Sequence, residues 1–160
     1  PTISAPGVNG FGDGVVYVDG KNKIEYALDL LNGAKIWQFD LQKAAGRENA
    51  NAQSAAALIG NRLVVPYAHY LFKFDASTGR QIWRTKPAPS IFYASPAISG
   101  PSSNQVVVVG DADGFERAYR LRDGTQLLAV KTNGPIYASA AIAYGTVVFD
   151  ANDGYLYALK

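Results

Sequence analysis

Four times along the chain, a run of small residues closes on one apolar residue, then a β-branched run follows, then a stretch that alternates at period two. The small-residue stretches are Ala5-Pro6-Gly7-Val8, Ala55-Ala56-Ala57-Leu58, Ser95-Pro96-Ala97-Ile98 and Ser139-Ala140-Ala141-Ile142. Small side chains there suit strands that crowd together backbone to backbone. The β-branched runs Val15 to Val18, Leu63 to Val65, Val106 to Val109 and Thr146 to Phe149 have the length and composition of buried strands. A third strand alternates, with Tyr70, Phe72 and Phe74 facing one way and Leu71, Lys73 and Asp75 the other. Asp, Asn and Gly between these runs tolerate the left-handed backbone of tight reversals. A turn of the type Asn32-Gly33, Thr78-Gly79 or Asp123-Gly124 then leads to a fourth strand ending in Trp37, Trp83 or Leu128. No amphipathic helix of ten or more residues is predicted, so each copy reads as four antiparallel strands.

The copies recur with a fixed period. Trp37 and Trp83 are 46 residues apart and Leu128 follows 45 later, each four residues after a glycine. That period belongs to β-propeller blades. The predicted fold is all-β: a β-propeller of four-stranded antiparallel blades with about three and a half blades present, over roughly 1–49, 50–89, 90–134 and an incomplete 135–160. An open arc leaves an apolar sheet face at each end. It is therefore expected to be part of a seven- or eight-bladed ring, completed first by a longer chain, or otherwise by a second copy or another subunit.

Composition narrows the function classes. At 48% hydrophobic and 18% charged the chain is globular rather than disordered. Fifteen Lys and Arg against thirteen Asp and Glu leave a net charge of +2, with the basic residues scattered rather than gathered on a stripe, which argues against nucleic acid as partner. The absence of cysteine removes disulfides, thiolate chemistry and cysteine-built zinc sites. No methionine is present even at position 1, which reads as a mature or excised segment. No apolar run is long enough to form a transmembrane segment.

The segment Ala27-Leu28-Asp29-Leu30-Leu31-Asn32-Gly33-Ala34-Lys35-Ile36-Trp37 resembles the tryptophan-docking motif, A-x-D-x-x-x-G-x-x-x-W, of the pyrroloquinoline-quinone-enzyme type of propeller repeat. The second copy keeps Asp75, Gly79 and Trp83 but has Lys73 for the alanine; the third keeps Gly124, with Arg120 and Leu128 elsewhere; the fourth keeps Ala158. The resemblance, which extends to the outer-membrane assembly lipoprotein and the quinone dehydrogenases, covers essentially the whole chain. It implies that Trp37 and Trp83 stack on the neighbouring blade while Asp and Gly set the turn. It also implies an exported setting, periplasmic or at the cell surface. In the dehydrogenases of this family a quinone sits near the axis with a vicinal cysteine pair, calcium ligands and an Asp base. None of that site maps onto these residues.

Other chemistry-bearing residues read as structural. Asp111-Ala112-Asp113-Gly114-Phe115-Glu116 and Asp150-Ala151-Asn152-Asp153-Gly154 are read as turns rather than calcium loops. His69 is read as a turn residue, and Ser95 and Ser139 as space-saving residues. The connection from Gln42 to Gln53 is longer than its counterparts and is read as a surface loop, in which Arg47, Glu48, Asn49 and Asn51 are the candidate partner-binding residues. No catalytic residue, metal ligand or cofactor is assigned. The expected function is a non-catalytic interaction or scaffold domain for a protein or peptide partner. The alternatives are part of a quinone-dependent dehydrogenase whose site lies outside this segment, and a sensor domain binding a small ligand.

Overall fold

The computed structural model describes residues 1–7, 12–48, 54–100 and 103–160. Its described residues form four antiparallel sheets arranged in chain order. The first contains β1 (Thr2–Ile3), β2 (Val15–Asp19), β3 (Ile24–Asp29) and β4 (Lys35–Asp40), and a single turn of helix, α1 (Leu41–Ala44), follows it. The second contains β5 (Ala57–Ile59), β6 (Arg62–Tyr67), β7 (Tyr70–Asp75) and β8 (Gln81–Arg84). The third contains β9 (Ala97–Ser99), β10 (Val106–Gly110), β11 (Phe115–Arg120) and β12 (Gln126–Lys131). The fourth has three strands, β13 (Ala141–Ala143), β14 (Thr146–Asp150) and β15 (Leu156–Leu159). The sheets do not close on one another. The all-β partial propeller expected from the repeat is the observed fold.

The innermost strand of the first sheet departs from expectation. Ile3 pairs with Val16 just as Leu58 pairs with Leu63, Ile98 with Val107 and Ile142 with Val147. Ile3, not Val8, thus holds the repeat position, and Val8 lies outside the described residues. The cause is Ser4: its amide donates to Val15 O at 2.9 Å and its hydroxyl accepts from Val15 N at 2.8 Å, which seats the strand five residues earlier.

Ser95 and Ser139 also do more than save space. Ala55 N donates to Ser95 Oγ at 2.9 Å, and Ser95 N donates to Ser139 Oγ at 3.1 Å, so each hydroxyl satisfies a backbone amide at the inner strand of the preceding sheet. Such amides would otherwise face a neighbouring sheet without a ladder partner. Thr2 Oγ1 likewise donates to Ala56 O.

The sheets are joined by their faces. Trp37 pairs with Ala27 across β3 and β4 and shares its face of the first sheet, and its Nε1 donates to Ala76 O of the second sheet at 2.8 Å. A Cβ built on Gly79 would lie 2.6 Å from Trp37 Cδ2, so the ring rests directly on that glycine. Trp83 repeats the arrangement, donating to Leu121 O at 3.0 Å and lying 3.0 Å from the Cβ position of Gly124. A register shift recurs at Ala27/Leu28, Lys73/Phe74 and Ala118/Tyr119, one step from where the third strand pairs with Trp37, Trp83 or Leu128. In the turns, Asp29 Oδ1 accepts from Leu31 N and Asn32 N, and Asp75 Oδ1 from Thr78 N. Where the third copy has Arg120, the turn is held instead by Asp123, whose Oδ1 accepts from Thr125 N.

Gly33 and Gly79 separate backbone conformation from ring contact. Both have φ near +72°, but only Gly79 faces a ring, because nothing lies within 4 Å of the Gly33 Cβ position. Gly33→Ala should cost about 1–2 kcal/mol for the left-handed backbone. Gly79→Ala should cost at least about twice that, since Trp37 must leave its seat. Denaturant unfolding of the two variants checks this; equal losses would remove the ring contact as a major source of cohesion.

Candidate binding surfaces

Three features concentrate polar chemistry against this frame: the α1 corner, two buried glutamates, and a groove between the third and fourth sheets.

At the corner, Asp40 caps α1 by accepting from Lys43 N at 2.8 Å. The chain then reverses through Gly46 and Arg47, both left-handed at φ +75° and +70°, with Arg47 N donating to Gln42 O at 2.7 Å. The corner is tied to the second sheet at both ends, by Arg84 Nη1 donating to Ala44 O and by Tyr67 OH donating to Glu48 O at 2.9 Å. Arg47 is exposed and Glu48 half-buried, so these two sequence-predicted residues sit next to each other on one fixed reversal. Asn49 and Asn51 lie outside the described residues.

Glu25 and Glu116 occupy the same repeat position, on β3 opposite Asp19 and on β11 opposite Gly110. They are 1% and 2% exposed, and no carboxylate oxygen of either has a hydrogen-bond partner. Burial, reinforced by the nearby charge of Asp19, pushes Glu25 up to about 8. For Glu116 burial is again the larger cause and Asp111 the smaller, with the same result, about 8. This pair is legible in the sequence as a glutamate recurring two periods apart. Only burial shows that neither has a partner.

The remaining polar groups are spent on structure. Asp111 accepts from Asp113 N and Phe115 N through Oδ1 and pairs with Arg117 Nε through Oδ2 at 2.7 Å, wholly buried. Asp153 accepts from Asn133 N, Tyr155 N and Tyr157 OH, and those hydrogen bonds hold its carboxyl below the usual range. His69 sits in the two-residue turn after Ala68, which has φ +51°, and its Nδ1 donates to Ala88 O at 2.9 Å. Lys73, the departure from alanine in the second copy, donates to Leu121 O at 3.0 Å beside the Trp83 ring, and burial pulls its ammonium down. The described residues do not fit a quinone platform, because both tryptophan rings are held between sheets with their N–H groups occupied.

Between the third and fourth sheets runs an apolar groove of about 360 Å³, walled by Val108, Ala118 and Leu128 on one side and Ile142, Val147 and Leu159 on the other. Glu116 lines it. The buried cluster at this junction has three members, Ile136, Phe149 and Ala151, against thirteen at the first junction.

The family model of the outer membrane protein assembly factor BamB matches residues 20–160. The chain belongs to the BamB family. BamB from Moraxella catarrhalis is similar in structure, with a TM-score of 0.71 at 18% identity over 91% of this chain and 42% of that one. The computationally designed Ika4 protein is similar at a TM-score of 0.75 and 18% identity, over 91% of this chain and 84% of that one. The quinohemoprotein alcohol dehydrogenase ADHIIG of Pseudomonas putida HK5 is similar at 0.57 and 24% identity, over 74% of this chain and 19% of that one. The BamB-family chain thus spans less than half of the Moraxella protein, and these structural likenesses speak for the fold. No curated protein matches it. No helix among the described residues is long and apolar enough to cross a membrane.

Glu25 gives this BamB-family chain a pH signature. Its folded value near 8 lies above the ordinary 4.5, so the folded state holds the proton more tightly. The resulting stability is full below about pH 4.5 and is lost as pH rises toward 8. Glu25→Gln should leave stability near pH 4.5 little changed and raise it by about 1–3 kcal/mol at pH 8.5. Thermal melts across that range check it; a gain independent of pH would mean that Glu25 is not protonated in the fold.

Proposed function

We propose that this chain is a non-catalytic segment of a propeller scaffold that presents the α1 corner to a protein or peptide partner in an exported setting, the periplasm or the cell surface. The observation that carries this is Arg47: an exposed guanidinium kept in left-handed backbone, a conformation costing about 1–2 kcal/mol, on a reversal tethered at both ends. Rigid scaffolds place recognition on such connections. Membership in the family of an outer membrane protein assembly factor supports both the partner and the setting. Asn49 and Asn51 extend the proposed surface by sequence alone.

The same proposal includes the division into copies at 1–49, 50–89, 90–134 and 135–160, with Trp37 and Trp83 as docking residues between them. It also includes completion of the ring by the rest of a longer chain, a second copy or another subunit. The dehydrogenase reading gains nothing from the described geometry, since both tryptophans are committed to packing between sheets.

Arg47 allows a test that separates binding from folding. Arg47→Gly relieves the backbone and should hold or raise stability by up to about 1 kcal/mol, while Arg47→Glu should also fold. Both should weaken by at least about tenfold, 1.4 kcal/mol, the capture of a partner by a photocrosslinker placed at Gln42 in the intact protein. Crosslinking that is unchanged in both variants, or no stronger than from exposed Lys35, would refute the corner as the binding surface.

A further inference from the structure

The second and third sheets meet with four strands present in each, and their junction departs from the repeat in charge. Strand register puts Arg62 where the first and third sheets have Val15 and Val106, and Lys73 where they have Ala27 and Ala118. Across the junction, Arg120 stands where the first two sheets have the turn aspartates Asp29 and Asp75. Two apolar positions and one acidic position are thus cationic here. Arg62 pairs with Asp75 and Lys73 with Val64, so Arg62 and Lys73 share a face of the second sheet, and it is the face of Trp83, which docks on the third. With Arg120, Gln105, Leu121 and Arg122 they line a pocket of about 230 Å³.

The pocket holds more donors and more positive charge than its own residues satisfy. Lys73 is 6% exposed and Gln105 8%. Lys73 Nζ donates to Leu121 O at 3.0 Å, a carbonyl that also accepts from Trp83 Nε1, and no other acceptor meets it among the described residues, so two of its three protons are unmet. Gln105 is fixed by its backbone carbonyl, which accepts from Leu121 N at 2.9 Å, and by its Oε1, which accepts from Arg62 Nη1; its Nε2 is left to donate elsewhere. Neither Arg62 nor Lys73 forms an ion pair with a described carboxylate, while Arg120 and Arg122 share one, Asp123, at 3.2 and 3.5 Å. Asp75, the cross-strand neighbour of Arg62, accepts from Thr78 and Asn61. Four cations therefore stand against two carboxylates, an excess of two charges. Burial first, and the charge of Arg62 second, pulls the Lys73 ammonium below its ordinary value, as expected of a cation short of negative partners.

We propose that this pocket binds a phosphate group, as the free ion or as the end of a small ester, with its oxygens on Lys73 Nζ, Gln105 Nε2 and the guanidinium groups of Arg62 and Arg120. A tetrahedral dianion matches the charge excess and offers enough lone pairs for donors that converge from two sheets. Its size suits a volume below the range that holds drug-sized ligands. The site shares no residue with the α1 corner and does not depend on the partner reading.

Isothermal titration of inorganic phosphate into the intact protein at constant ionic strength, with glycerol 3-phosphate as a second arm, reads the site. Saturable binding is expected; tighter binding of phosphate assigns the free ion, and tighter binding of glycerol 3-phosphate assigns the ester. Acetate should bind at least about tenfold more weakly than the better of the two, because its single charge leaves part of the excess unmet. Lys73→Ala and Arg62→Val install the residues of the other copies, so the fold should be kept while binding weakens at least about tenfold in each. Exposed Asp123 competes for Arg120 and Arg122, and Asp123→Asn should tighten binding. No saturable binding in either arm, acetate binding as tight as phosphate, or affinity unchanged in both Lys73→Ala and Arg62→Val would overturn the proposal.

Discussion

The structure rests on one repeated contact, an indole laid flat on a glycine of the next sheet. A β-sheet buries one face cheaply, but each sheet here has two apolar faces and must find a neighbour for both. Trp37 and Trp83 meet that demand by reaching across the junction, covering the turn glycines Gly79 and Gly124 and donating to the carbonyls of Ala76 and Leu121. Glycine is required at the receiving end for two reasons that coincide: φ lies near +70°, and the ring leaves no room for a Cβ. Aromatic area supplies cohesion, and the indole N–H supplies direction, because it has an acceptor only when the sheets are correctly placed.

From that contact follows the gradient along the arc. Where both tryptophan and its aromatic receivers are present, between the first and second sheets, the core is continuous, and Phe39, Phe72 and Phe74 pack around it. At the junction of the third sheet with the three-stranded fourth, where Leu128 stands at the tryptophan position, the buried cluster is Ile136, Phe149 and Ala151.

The polar chemistry follows the same economy. Asp29, Asp75, Asp111, Asp123 and Asp153 each bond backbone amides of a turn, so the acidic residues that invite a metal reading serve as local frame. Glu25 and Glu116 are the exceptions, buried on strands that offer them no donor. Arg47 differs in another way, as an exposed charged residue in left-handed backbone, a conformation that Lys23 shares. Burial without a donor favours the neutral form of both glutamates, so neither has to hold an unpaired charge in the interior.

Period, strand count, turn positions and family resemblance were legible in the sequence, because each is set by neighbours along the chain: alternation chooses a strand, and an Asp or Gly at a fixed offset chooses its reversal. What sequence misplaced was the first inner strand, since Ile3 and Val8 both suit the local pattern and only the Ser4–Val15 bonds choose between them. The serine stitches between inner strands and the unpartnered state of Glu25 and Glu116 were decided by tertiary structure alone. Each depends on what lies across a junction about 40 residues away in the chain, where distance and burial, rather than residue type, settle which groups meet and which are left without a partner.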